Sequence, residues 1–243
     1  TFIQSMLSDL KLEPFEILSS IANLKKNKTN TFNKNLLEVG EKIYKGKTKG
    51  NWNPNTKIKG NNVLILGSGP SSLNYASAIE DFIKKYNPFV IALNAEKSID
   101  EKLINLRVAC HALRITSDIN LFKKLKQPLA LPLKRIPEEQ RKNFKKIKIF
   151  DYGLEVQSGK FKFGKNSSIA PNPLTIIYAL SIANSGKAKQ IYLTGLDGYS
   201  VDDPRRHEMD DLLKAYLQLR KKAEIISITP TRYKIKTNSV YAL

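Results

Sequence analysis

Two histidines, one cysteine and a few well-placed carboxylates are the chemically able side chains of this 243-residue chain. His207 follows Arg205 and Arg206 in a stretch that opens with Asp202-Asp203-Pro204. Like charges close to an imidazole disfavour its protonated form, so such a histidine is a neutral base near pH 7. The same guanidiniums can meet a departing phosphate or an acidic acceptor. A solvated, charged helix start accounts for these residues equally well. His111 closes the apolar run Leu106–Cys110, where it either touches a ligand or is a buried structural histidine. Cys110-His111 has no further ligands at metal spacing, and Asp202-Asp203-Pro204 reads as a turn and helix cap, so no metal is expected. Asp197, in Gly195-Leu196-Asp197-Gly198, is a carboxylate presented on a glycine turn, as a ligand acceptor or as an Asx turn holding its own loop.

A second cluster of small residues points to phosphate chemistry. The apolar run Val63–Leu66 leads straight into Gly67-Ser68-Gly69-Pro70-Ser71-Ser72, and an amphipathic segment from Leu73 to Tyr86 follows. That order predicts a buried strand, a tight turn and a helix whose N-terminus opens at the turn, an arrangement that favours an anion. Gly67 and Gly69 let backbone approach a ligand, while Ser68, Ser71 and Ser72 offer donors. Tight strand-to-helix packing would require the same glycines. A dinucleotide fingerprint is incomplete here: its third glycine position is Ser72, and the second strand, Phe89–Leu93, ends in Asn94 instead of an acid. Asn94 suits a phosphate or a base edge better than a ribose diol, which disfavours NAD.

The elements that must hold these residues alternate. Strands are predicted at Leu106–His111, Pro128–Leu133, Ile147–Tyr152, Lys160–Phe163, Gln190–Thr194 and Ile225–Ile228. Helices are predicted within Ala95–Leu103 (capped by Ser98), from Ser117 or Asp118 to Leu125, at Leu174–Ala183, and from Glu208 to about Lys222. The expected fold is α/β, a doubly wound and mostly parallel Rossmann-like sheet over residues 62–243. In such a sheet ligands sit beyond the C-terminal strand ends, where the glycine turn, Asn94, His111, Gly195–Tyr199 and Thr229–Thr231 would meet. Residues 1–45 carry three helically spaced apolar sets and form a small helical appendage. Residues 46–61 read as a linker, with Trp52 as its anchor.

Gly67-Ser68-Gly69-Pro70-Ser71, Leu93-Asn94, the helix Leu174–Ala183 and Ile191–Tyr199 together resemble bacterial CMP-sialic-acid-dependent sialyltransferases and their relatives. The likeness runs as islands over roughly residues 60–235. It implies that Gly69, Ser71 and Asn94 hold the CMP part of a donor and that Asp197 and Tyr199 bind ribose and phosphate. Asn172 stands where the family has its nucleotide loop, and His207 occupies a place comparable to the general base. A nucleotide-sugar donor, a glycan or lipid-linked acceptor and no separate cofactor follow from it. Pterin-pyrophosphokinase-like domains have a similar glycine turn. Residues 1–45, through Thr1–Leu7 and Ile17–Ile21, resemble the helical tail after the barrel of HMG-CoA-lyase-like pyruvate aldolases. That likeness implies a second reading, a non-catalytic or regulatory domain of an aldolase fusion whose barrel does the lyase chemistry.

Composition bounds these expectations. Hydrophobic content of 41% and charged content of 26% are ordinary for a globular chain, and no apolar run nears the roughly 20 residues that span a bilayer. One cysteine excludes an internal disulfide framework and fits a reducing, cytoplasmic setting. A net charge of +19 attracts polyanions, including an anionic inner-membrane surface, or simply reflects lysines on every solvated face. The lysines are dispersed and few aromatics interleave with them, so nucleic acid is an unlikely partner.

Overall fold

The structure, a computed structural model, describes residues 49–243 apart from 112–114, 116–117 and 137–140. The helices expected over residues 1–45 therefore lie outside the described residues. The core is an eight-stranded, all-parallel sheet made of β1 (Val63–Leu66), β2 (Phe89–Leu93), β3 (Leu106–Val108), β4 (Leu129–Leu131), β5 (Ile149–Asp151), β9 (Ile191–Thr194), β10 (Ile225–Ser227) and β11 (Lys236–Thr237). Its spatial order is β11-β10-β9-β1-β2-β3-β4-β5. Every residue of β1 is buried, as expected of a strand covered on both faces. The α/β, doubly wound expectation holds.

The order reverses between β1 and β9, and both flank the same strand register: Leu66 pairs with Ala92 on one side and with Thr194 on the other. On one face, Val63, Ile65, Ile91 and Leu93 pack beneath α5 (Thr175–Ser185) and α6 (Pro204–Leu217). On the other, Leu64, Leu66, Val90 and Ala92 pack against Ile79, Phe82 and Ile83 of α3 (Ala76–Tyr86). The segment predicted as one helix from Leu73 breaks at Tyr75 into α2 (Pro70–Asn74) and α3.

A second sheet was not expected. Gly153–Val156 (β6), Lys162–Phe163 (β7) and Ser167–Ala170 (β8) pair in the order β6-β8-β7. It covers α5, which explains why that helix is buried without interruption from Ile176 to Ala183. A helix hydrophobic all round must be sandwiched, and here it lies between the two sheets.

Residues 49–61 are not a free linker. The amides of Asn51 and Trp52 both donate to the Asp151 carbonyl at 2.9 Å, and the Trp52 ring stacks on Phe150 at 4.7 Å. Ile58, on the short helix α1 (Asn55–Ile58), is fully buried against Gly186, where a Cβ would stand 2.6 Å from the Ile58 Cβ. Trp52 is the anchor that was expected. One cap differs from expectation and one agrees with it. Asp100, not Ser98, caps the 3-10 turn Glu101–Leu103, accepting from the Lys102 amide at 2.9 Å. Asp203 is the cap expected of Asp202-Asp203-Pro204, accepting from the Arg205 amide at 2.9 Å, though α6 begins at Pro204, four residues before the expected Glu208. The helix expected through Leu125 is short, α4 (Ile119–Phe122).

Among the described residues the charged side chains of Arg107, Arg135 and Asp151 are buried, Arg107 most fully. The Arg107 side chain is 1% exposed on β3, donating to the Glu96 carbonyl (2.6 Å) and to Gln127 Oε1 (3.1 Å), with Glu101 at 3.7 Å. Burial pulls its pKa down and the two glutamates oppose that shift. It binds the loops before β3 and before β4 into one unit. Arg107→Ala is expected to lower the unfolding free energy by about 3 kcal/mol, read by urea denaturation, because buried acceptors lose their donor. Asp151 gives a pH signature. Burial raises its carboxyl pKa, against the Leu133 amide that donates to it at 3.0 Å. A raised folded-state value means stability present at low pH and lost as pH rises through that value. Wild type should therefore lose stability relative to Asp151→Asn as pH climbs above about 4, the ordinary carboxylate range.

Candidate functional site

Because all strands of the large sheet run parallel, the residues that follow them share one edge. Two glycine turns interlock there. The Gly69 amide donates to the Gly195 carbonyl at 2.9 Å, and the Ser72 hydroxyl donates to the Gly67 carbonyl at 2.7 Å. Gly195 has φ +63°, and a Cβ on it would lie 1.9 Å from Ser72 Oγ and 2.4 Å from the Gly67 carbonyl oxygen. The close approach that these glycines permit is of one turn to the other. Thr229, buried after β10, completes the joint: its Oγ1 accepts from the Gly195 amide (3.1 Å) and from the Ser71 hydroxyl (3.0 Å).

Asp197 is the carboxylate of this joint. Its Oδ2 accepts from the Ser71 amide at 2.9 Å and its carbonyl from the Arg232 amide at 2.9 Å. Its Oδ1 is buried and has no hydrogen-bond partner among the described residues. A buried anionic acceptor without a donor is costly in water-excluded surroundings. It is a polar atom of the joint left unsatisfied among the described residues.

The amide cradle expected at the first turn takes a different form. The amides of Gly67, Gly69, Ser71 and Ser72 are all engaged within the protein, by Thr194, Gly195, Asp197 and Gly69 respectively. An anion on the Ser71 amide would have to displace Asp197. Ser68 is exposed, and it and Asn94 each stand just beyond the C-terminal ends of the neighbouring strands β1 and β2.

Asn94 has φ +53°, a conformation asparagine tolerates better than most residues, which gives its identity a local reason as well. Its Oδ1 lies 3.5 Å from Thr175 Oγ1, at the start of α5. Cys110 is buried beside it, donating to the Pro173 carbonyl at 3.0 Å. Asn172 donates to Glu208 Oε1, which ties the turn before α5 to the first turns of α6, and its Oδ1 is a second buried acceptor without a partner among the described residues. His111 is half-buried beyond β3 on this edge.

The late loop is held by contacts of its own. Arg205 stacks on the Tyr199 ring at 4.4 Å and is held by Asp203, whose pKa its hydrogen bond lowers. Tyr233, against the same loop, has its pKa raised by burial. His207 is exposed on the first turn of α6 and stands apart from the Asp197–Ser71 joint; Arg206 beside it reaches Asp210 at 3.7 Å. The structure thus unites Gly67, Gly69, Ser71, Ser72 and Asp197 in one network, links Asn94 to Thr175 at the start of α5 and Asn172 to Glu208 on α6, and leaves His207 exposed. Thr229 was expected at this edge as a strand-end residue, whereas Thr175 and Glu208 were not singled out in the sequence. Single hydroxyls and a helix-start glutamate have no spacing signature, and only register brings them in. Among the described residues no group of three or more metal-ligating side chains stands together.

Comparison of the sequence with protein-family models and with curated proteins finds no match.

The interlock predicts a large contrast between two glycines. Gly195→Ala meets backbone and side chain at once and should destabilise by about 3 kcal/mol or more. Gly159→Ala, at φ +70° with open space around it, should cost about 1 kcal/mol from backbone strain alone. Equilibrium urea unfolding of the two variants measures the difference.

Proposed function

We propose that this chain binds a nucleoside-phosphate ligand at the crevice between the ends of β1 and β9, and that the ligand is a CMP-type sugar donor whose sugar is transferred to a surface-glycan or lipid-linked acceptor. The observation that carries the first half is Asp197: one carboxylate oxygen is anchored on Ser71 and the other is buried with nothing to accept from. A ribose hydroxyl supplies the missing donor, and the strand-order reversal is where open α/β sheets receive such ligands. Asn94 follows β2, which stands two strands from β9, a spacing of about 10 Å that a nucleotide can span. Asn172 Oδ1 is the further acceptor, suited to an exocyclic amino group. The Ser68 hydroxyl meets the phosphate, in place of the amides that the protein has already used.

The transferase half rests on the resemblance through Gly67–Ser71, Asn94 and Ile191–Tyr199. In that reading Asp197 and Tyr199 hold the ribose and phosphate, and the exposed His207 takes the acceptor's proton once a substrate bridges it to the crevice. Proton removal from the attacking hydroxyl and donors on the leaving phosphate are what the step requires. His111, on the same edge, is the alternative ligand contact.

A thermal-shift panel of CMP, CDP, UDP, AMP and NAD tests the reading. CMP or CDP should raise the melting temperature by several degrees at millimolar ligand. Asp197→Ala and Asn94→Ala should abolish that rise while remaining folded. No response to any cytidine or uridine nucleotide would refute it.

A further inference from the structure

The strand ends away from the crevice carry a cleft of their own. It has a volume of about 610 Å³ and lies between residues 100–104, which lead into β3, and residues 126–128, which lead into β4. Ile104 and Pro128 give it an apolar side, while Glu101, Lys102, Lys126 and Gln127 bring polar groups to it. These residues precede their strands, whereas the crevice residues follow theirs, so in a parallel sheet the two sites stand at opposite ends.

Arg107 sits behind Glu101 and Gln127. Its Nε donates to Gln127 Oε1 at 3.1 Å and its Nη1 to the Glu96 carbonyl at 2.6 Å, but Nη2 is buried with no hydrogen-bond partner among the described residues. Nη2 is directed at Glu101, whose Oε1 stands 3.7 Å away, an ion pair too long for a hydrogen bond. Gln127 braces the guanidinium in this orientation, since its own Nε2 donates to the Glu101 carbonyl at 2.7 Å. The Glu101 side chain is 37% exposed against 1% for Arg107, so the carboxylate can turn to water while the cation cannot. A buried N–H without an acceptor is costly. An oxyanion in the place of the Glu101 carboxylate can close the gap to the roughly 2.8 Å of a charge-assisted bond.

The surrounding charge favours that exchange. Lys102 and Lys126 are exposed on the same cleft. Asp100 is committed to its own turn, accepting from the Lys102 amide at 2.9 Å, and Glu80, which holds the Asp100 amide, pairs with Lys84. We propose that the cleft binds a small multivalent oxyanion, a phosphorylated or polycarboxylate metabolite. Arg107 Nη2 is its inner donor, Lys102 and Lys126 are its outer cations, and Glu101 is the internal occupant that it displaces. The site shares no residue with the crevice, and the inference stands whether or not a nucleotide binds there.

Isothermal titration calorimetry of the full chain with pyrophosphate and with citrate tests it, the two probes separating a phosphate from a carboxylate source. Saturable binding of at least one is expected. Lys102→Ala/Lys126→Ala should weaken that binding by about tenfold. Glu101→Gln should tighten it by about fivefold, because the competing carboxylate is gone. Arg107 is kept in place, since its loss is expected to destabilise the fold. The control Lys162→Ala/Lys236→Ala removes the same charge from the small sheet and from the edge strand β11, and should leave the affinity within about twofold. Binding of neither probe would overturn the inference. So would weaker binding by Glu101→Gln, or a control that weakens binding as much as the cleft variant does, which would assign the attraction to the net charge of +19.

Discussion

The contact between the two glycine turns governs the molecule. β1 and β9 are hydrogen-bonded neighbours, yet nearly 130 residues separate their turns in sequence, and both loops must leave the sheet at the same point. Only two turns without side chains fit that space, and Gly195 would collide with Ser72 and Gly67 if it carried a Cβ. Once the turns nest, their amides are consumed by each other. Asp197 comes to rest on the first backbone donor of α2, and Thr229 closes the joint from the third strand, β10. Everything proposed about ligand binding descends from that arrangement, because it fixes which polar atoms are spent and which are left.

What is left differs from what a glycine-rich turn usually offers. A turn that follows a strand and opens a helix ordinarily presents amides to a phosphate. Here α2 spans five residues and its N-terminal amide already has a carboxylate. The chemistry passes from backbone donors to side-chain acceptors, Asp197 Oδ1 and Asn172 Oδ1. Acceptors of that kind select for hydroxyl and amino groups, which is what the proposed nucleoside would supply.

The sheet was legible in the sequence because a parallel, doubly covered strand leaves a continuous apolar run, and Val63–Leu66, Phe89–Leu93 and Ile191–Thr194 are such runs. The glycine turns and the shared edge followed from the alternation of elements. Of the small sheet only β7, within the expected strand Lys160–Phe163, was legible. β6 and β8 hold Gly153, Glu155, Ser167 and Ser168, whose polarity hides strands that are stabilised by lying over α5. The role of residues 49–61 escaped for a related reason: Gly50, Pro54 and Gly60 look like linker residues, whereas Gly50 is where backbone must pass within contact of Asp151. At the site, Asp197 and Asn94 could be named from their positions after strands. The satisfaction of the Ser71 amide could not, since a hydrogen bond across 126 residues depends on register alone.

The central claim is that Asp197 accepts from a ribose hydroxyl. Titration calorimetry of the chain with CMP and with its 2′,3′-dideoxy analogue tests it most directly. A hydrogen bond to a charged, buried acceptor is worth about 1.5–3 kcal/mol, so CMP should bind between about tenfold and a hundredfold more tightly than the analogue. Equal affinities for the two, or no heat with either, would contradict the account.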